Sequence, residues 1–363
     1  MPPRRVTTTH DRGTAMTTTT DAVSGAGRAA QGPRVAWADA AKGLAIALVV
    51  LTHATIFLGE AGHGSPLWRD LNKLLTGVRM PLFFTVSGLL AASVASRPWR
   101  EVLRRRVVPS AWLFVLWLLL TTAFFTAGVW VEAGQPAGPA EFALALVRPH
   151  TELWYLYALA VFAVVARLLR PVPPPAQLAA AAVLSVTTSA GLTATGSWAW
   201  DNMAAYLVFF LAGAHGRRVL PRVVEGVGVL GTALLLVTFT LLAAAVSLLD
   251  LHLVPGLPLL RGALGVLGAS AACALLVRRW PRTPLRALGR ATLPVYLTHV
   301  LFIALLTTAL ELLVPETLPR AVRLLLPVAV TVLVVLAGVA VRRVLARVPG
   351  LLAPPDALVP SGR

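Results

Sequence analysis

Apolar residues in this chain gather into stretches of about 17–25 positions, each long enough as a helix to cross a hydrocarbon layer of about 30 Å. There are ten, at approximately 40–60, 71–95, 109–130, 151–169, 176–194, 203–219, 226–249, 258–277, 288–313 and 323–345, joined by short polar, Pro-rich or Arg-rich connections. The pattern predicts an all-α, polytopic membrane protein, a bundle of about ten transmembrane helices. Residues 1–34 are mostly Thr, Gly, Ala and Arg without an apolar core, which argues against a cleavable signal peptide and predicts a disordered tail. The first span then acts as its own insertion signal. Residues 35–347 form one transmembrane domain, and 348–363 read as a short flexible tail.

Charge sets the orientation. With the N-terminus inside, 25 of the 32 Lys and Arg fall on the inner side and seven on the outer, which places both termini in the cytoplasm of a multi-pass plasma-membrane protein. Tryptophan follows the same map, with Trp37, Trp99 and Trp280 at inner ends and Trp68, Trp130, Trp154, Trp198 and Trp200 at outer ends, as interfacial belts predict. Composition agrees: 57% of the 363 residues are hydrophobic and 13% charged, against roughly 45–50% apolar in soluble domains. A formal charge of +17 raises nucleic acid as a partner, but the basic residues are spread over six inner segments without a binding motif. Cys273 is the single cysteine, and no His, Cys or carboxylate cluster has metal-ligand spacing, so no metal is expected.

Depth brings several polar residues into question. His53 lies eleven residues after Lys42, roughly 16 Å along a helix and so near mid-membrane, where a titratable ring is costly and points to chemistry. His299 is the other histidine at mid-depth, read equally well as a packed neutral ring. In the second span, Ser87 lies eight residues from Ala95, about 12 Å from the inner face, a level it shares with His53. Arg79, just before Pro81, lies further outward. A charge beside a helix-loosening proline points to a cavity, and snorkelling to the interface is its plain alternative. Asp39 with Lys42 reads as an i,i+3 pair, and Ser87 with Gly88 as a small-residue helix contact. The run Arg100–Arg106, with Arg104, Arg105 and Arg106 at its core, reads as a lipid anchor or as a cradle for cofactor phosphates.

The blocks DAAKGLAIALVVLTH (39–53), RMPLFFTVSG (79–88), RRRVVPSAW (104–112), LWYLYAL (153–159) and LGRATLPVYLTHV (288–300) together resemble the membrane acyltransferase-3 family. The Asp-x-x-Lys-Gly opening is similar to its fucose 4-O-acetylase-like branch. Members are ten-helix enzymes that move an acyl group, usually acetyl from acetyl-CoA, onto a hydroxyl of a glycan or other acceptor. The resemblance implies His53 as the essential histidine, Lys42 as the basic residue preceding it, Arg79 as the basic residue before Pro-Leu-Phe-Phe, and Arg104 to Arg106 as part of the cytoplasmic basic block. Much of the family carries arginine at the position of Lys42, so a point charge is kept here and a bidentate fork is lost.

The chemistry agrees independently. A hydroxyl attacking a thioester needs a base near neutrality, the role of His53, or His53 carries the acyl group covalently. Ser87 or Arg79 would stabilise the tetrahedral oxyanion, and Lys42 and His299 stand beside them as candidates for binding substrate or stabilising the transition state. Expected partners are acyl-CoA, the lipid bilayer, and a glycan, lipid-linked saccharide or other hydroxyl acceptor. A secondary transporter or flippase is the alternative, and would be expected to show paired broken helices in two halves. A non-catalytic scaffold is the third reading.

Overall fold

The computed structural model describes residues 35–127, 139–314 and 318–358, apart from the Asp356 side chain. The N-terminal tail, Trp130 and residues 359–363 lie outside the described residues. Each of the ten apolar stretches falls on a helix: α1 (Ala36–Glu60), α2 (Pro66–Leu90), α3 (Val108–Ala127), α4 (Trp154–Leu168), α5 (Pro174–Ser189), α6 (Trp198–His215), α7 (Val229–Leu248), α8 (Leu257–Arg279), α9 (Thr292–Leu313) and α10 (Arg320–Leu345). No strand occurs among the described residues. Proline occupies the first turn of α2, α5 and α8, where its missing N–H leaves no bond unmade.

Seven of these helices are long and apolar enough to cross a membrane: α1, α2, the run Trp99–Ala127 that contains α3, α7, α8, α9 and α10. The remaining three, α4, α5 and α6, have 15, 16 and 18 residues and fall short in length or apolarity.

In α1, α2, α8 and α9, 56% of the most apolar window is buried, against 22–28% in α7, α10 and the α3 run. The first four therefore form the interior and the others the rim. α1 packs on α2, α8, α9 and α10, while α2 makes its broadest contact with α6. Two glycine pairs set the closest of these approaches. A Cβ on Gly88 would stand 1.9 Å from the Phe210 carbonyl oxygen, and one on Gly213 would stand 1.9 Å from that of Thr85. Backbone therefore meets backbone where α2 crosses α6, the packing that small residues permit in a membrane. Gly43 and Gly289 do the same for α1 and the short helix Pro284–Gly289, with added Cβ atoms 1.9 Å from the Leu285 oxygen and 1.7 Å from the Asp39 oxygen. Asp39 itself reaches across to Arg290, 3.4 Å away.

Three expectations change. The tryptophans stand near helix ends, but Trp37 and Trp154 are only 2% and 5% exposed: they face protein rather than the lipid interface. Apolarity alone does not tell a helix which of its faces meets lipid. The segment after Arg347, read as flexible, is docked through residue 351. Indole N–H groups need acceptors when buried, and Trp112 and Trp117 of α3 find theirs in the Gly350 and Leu351 carbonyls at 2.8 and 2.9 Å. Finally, α2 ends at Leu90 rather than near 95.

Candidate functional site

Because α2 ends five residues earlier than expected, each side chain on it lies about 7.5 Å nearer that end than the sequence placed it. Ser87 comes to lie three residues from the helix end, and Arg79 takes the level facing His53. Ser87 and His53 consequently line different cavities, which corrects their predicted shared depth.

The first cavity, of about 410 Å³, is walled by α1, α2, α4, α6 and α9 and includes His53, Arg79, Phe83, Tyr155, Tyr206 and Tyr296. His53 is fixed by its own helix: Nδ1 lies 2.9 Å from the Val49 carbonyl, four residues back. A carbonyl only accepts, so Nδ1 carries the hydrogen and Nε2 keeps its lone pair. His299 repeats the device, with Nδ1 2.6 Å from the Tyr296 carbonyl. Its ring is fully buried, stands edge-on to that of His53 at 4.9 Å between centroids, and its Nε2 has no hydrogen-bond partner. The two mid-depth histidines thus form a pair, each presenting an unprotonated nitrogen.

Arg79 points into the bundle rather than out to the interface. Its guanidinium donates to the Thr52 hydroxyl and, at 3.1 Å, to that of Thr76, while Thr52 donates to the Leu48 carbonyl at 2.8 Å. No carboxylate among the described residues lies within salt-bridge distance of it. A cation held by neutral hydroxyls keeps its field for whatever anion enters or forms beside it. Pro81 leaves α2 unbroken, and Thr85 returns a hydrogen bond to the Pro81 carbonyl at 2.8 Å.

A second cavity, of about 210 Å³, lies toward the opposite end of the bundle and includes Lys42, Ser87, Arg106 and Ser110. Phe83, Tyr155 and Tyr296 belong to the walls of both. Tyr155 and Ser87 are joined by a 2.5 Å hydrogen bond, and Tyr296 donates to the Glu152 carbonyl at 2.5 Å. Three aromatic rings therefore separate a chamber holding an imidazole pair and a cation from one with a basic mouth.

Arg106 reaches this mouth through a π-helical turn, Leu103–Val107, between Trp99–Val102 and α3. Such turns add a residue to the helix and redirect side chains, often at functional sites. Arg106 donates to the Leu90 carbonyl at 2.8 Å, whereas Arg105 is held by Glu101 at 2.9 Å. Of the predicted basic trio, Arg106 is the member seen in the wall of this cavity, and Arg104 is half-buried.

Sequence reasoning missed Thr52, Tyr155, Tyr206 and the π-turn. Tyr155 and Tyr296 sat unremarked inside two quoted blocks, and an aromatic residue in an apolar helix gives no sign of facing a cavity.

Residues 35–343 match the acyltransferase-3 family, described as an acyltransferase domain. The chain is also similar to the inner membrane protein YcfT of Escherichia coli (strain K12), 28% identical over 199 residues that cover 49% of this chain and 55% of that protein. The chain thus matches about half the length of this relative. No solved structure matches.

Proposed function

The chain belongs to this acyltransferase family, and on that premise we propose that it is a plasma-membrane O-acyltransferase carrying acetyl from acetyl-CoA to a hydroxyl of a glycan, lipid-linked saccharide or other cell-envelope acceptor. The observation that carries the reading is the pair of cavities meeting at Phe83, Tyr155 and Tyr296, His53 and Arg79 on one side and Lys42 and Arg106 on the other. In this reading α4, α5 and α6 complete ten crossings and both termini face the cytoplasm. The excess of basic residues on that face supports this orientation, and the name of the Escherichia coli relative, an inner membrane protein, supports the location. The mouth with Lys42 and Arg106 then opens to cytosolic acetyl-CoA, its cations suited to the donor's phosphates.

The thioester reaches the aromatic boundary and the acceptor hydroxyl lies in the other chamber. His53 Nε2 takes the hydroxyl proton as the oxygen attacks the thioester carbonyl. The Arg79 cation stabilises the oxyanion of the tetrahedral intermediate. Its collapse breaks the C–S bond, and the proton held by His53 goes to the departing thiolate. His299 lies behind His53 and holds the ring against tilting. The Val49 carbonyl fixes the tautomer, so the base needs no reorientation before it acts.

The test is acetyl transfer by the full chain in nanodiscs, with mass spectrometry of surface glycans and lipids from cells bearing wild type or His53→Ala. Loss of the base should lower transfer by about 10²–10⁴-fold with acetyl-CoA binding retained. Full transfer by His53→Ala, or acceptor flux across liposomes free of acetyl-CoA, would overturn the reading.

A further inference from the structure

Arg261, the fifth residue of α8, counts among the outer-side basic residues by sequence, yet it is only 8% exposed. Its Nε and Nη1 are buried without a hydrogen-bond partner, and no carboxylate of the described residues lies within ion-pair distance. Burying a guanidinium without a counter-charge is expensive, and snorkelling would have been the cheap escape. The backbone makes room for the buried position: a Cβ on Gly77 would stand 2.9 Å from Arg261 Cγ and Nε, so glycine there leaves the space the side chain fills.

Arg261 forms one wall of a third cavity, of about 220 Å³, with Thr76, Ser185, Asp201, Asn202 and Tyr206 among its other walls. Hydroxyl and amide side chains thus share the cavity with the guanidinium. Asp201 shares the cavity, but its Oδ1 accepts from the Thr195 amide and hydroxyl at 2.7 and 2.8 Å, as a local cap. Thr76, Trp198, Asn202 and Tyr206 also line the His53 cavity. The two spaces therefore share a wall that includes Tyr206.

We infer that the Arg261 cavity is a subsite for an oxyanion, the carboxylate or phosphate of an acidic acceptor whose hydroxyl reaches His53 past Tyr206. The inference deepens the acyltransferase reading and rests on it for the word acceptor. The Arg261 guanidinium in the cavity wall supplies a charge-assisted contact that a neutral sugar leaves unmade, so the subsite selects acidic acceptors over neutral ones.

The test measures binding without acetyl-CoA. The full chain in phosphatidylcholine nanodiscs is titrated calorimetrically with methyl glucuronide, glucose 6-phosphate and methyl glucoside. The acidic probes should bind about tenfold or more tightly than the glucoside, the size of one such contact. Arg261→Met should erase the preference, Arg261→Lys should keep part of it, and His53→Ala should keep it all. Gly77→Ala, which crowds the guanidinium, carries the same test if Arg261→Met does not insert. Equal binding by wild type, or a preference that survives Arg261→Met, would overturn the inference. So would loss of the preference in nanodiscs containing phosphatidylglycerol, because the occupant would then be a lipid headgroup. A preserved preference with no transfer to any acceptor would sink the catalytic reading and leave the oxyanion site standing.

Discussion

Replacing Gly88 or Gly213 by alanine puts a methyl group where the opposing helix has its backbone. The added Cβ would stand 1.9 Å from a carbonyl oxygen in each case, while real Cβ contacts essentially never fall below 3.0 Å. The gap must widen by about 1.1 Å, and because both neighbours are main-chain atoms, no side chain can turn aside. Overpacking of this kind costs about 1–3 kcal/mol. The movement also carries Tyr206 of α6 away from α2, opening the wall beside His53, and a displacement near 1 Å at a reacting centre can lower turnover by about 10²-fold. The two contacts lie at one crossing, so one separation relieves both: Gly88→Ala with Gly213→Ala should cost clearly less than the sum of the single substitutions. Unfolding in mixed micelles of increasing dodecyl sulfate content gives the free energies, and acetyl transfer in nanodiscs gives the rates. Gly226→Ala is the control, since nothing lies within 4 Å of its added Cβ, and it should stay within about 0.5 kcal/mol of wild type. Wild-type stability in Gly88→Ala, or strict additivity of the pair, would refute the backbone contact.

Two further outcomes follow from the basic mouth and the docked C-terminal segment. Arg106→Ala should raise the KM for acetyl-CoA several-fold with little change in kcat, whereas Arg105→Ala, whose partner is Glu101, should leave both near wild type; steady-state kinetics with varied acetyl-CoA separates them. Trp112→Phe with Trp117→Phe removes both indole donors to Gly350 and Leu351. Limited proteolysis should then cut within residues 348–358 at least several times faster, and an unchanged cleavage rate would show that the indoles do not hold the segment.

The long helices were legible because an apolar run of membrane length has few other solutions. His53 and Arg79 stood out for a related reason: polar groups in such runs are too costly to keep without use. Rotation about each helix axis was not legible. Lipid and protein interior are equally apolar, so Trp37, Trp154, Tyr155 and Tyr206 carry no mark of the face they occupy. Arg261 was hidden by its nearness to a helix end, where an arginine ordinarily reaches water. The level of Ser87 was misjudged because the apolar run continues past Leu90 after the helix has stopped, and hydropathy does not register a helix end.

The shortness of α4, α5 and α6 bears on how the protein is made. In the ten-crossing reading, a helix of 15 or 16 residues spans only about 22–24 Å and gains too little from lipid to leave the translocon unaided. Its partners must already be waiting. α6, at 18 residues, meets α2, synthesised more than a hundred residues earlier and offering at Gly88 the groove that the Phe210 backbone enters. In that reading, assembly of the middle third is templated by the first two helices, and a nascent chain that misplaces α2 forfeits its centre before the last helices are translated.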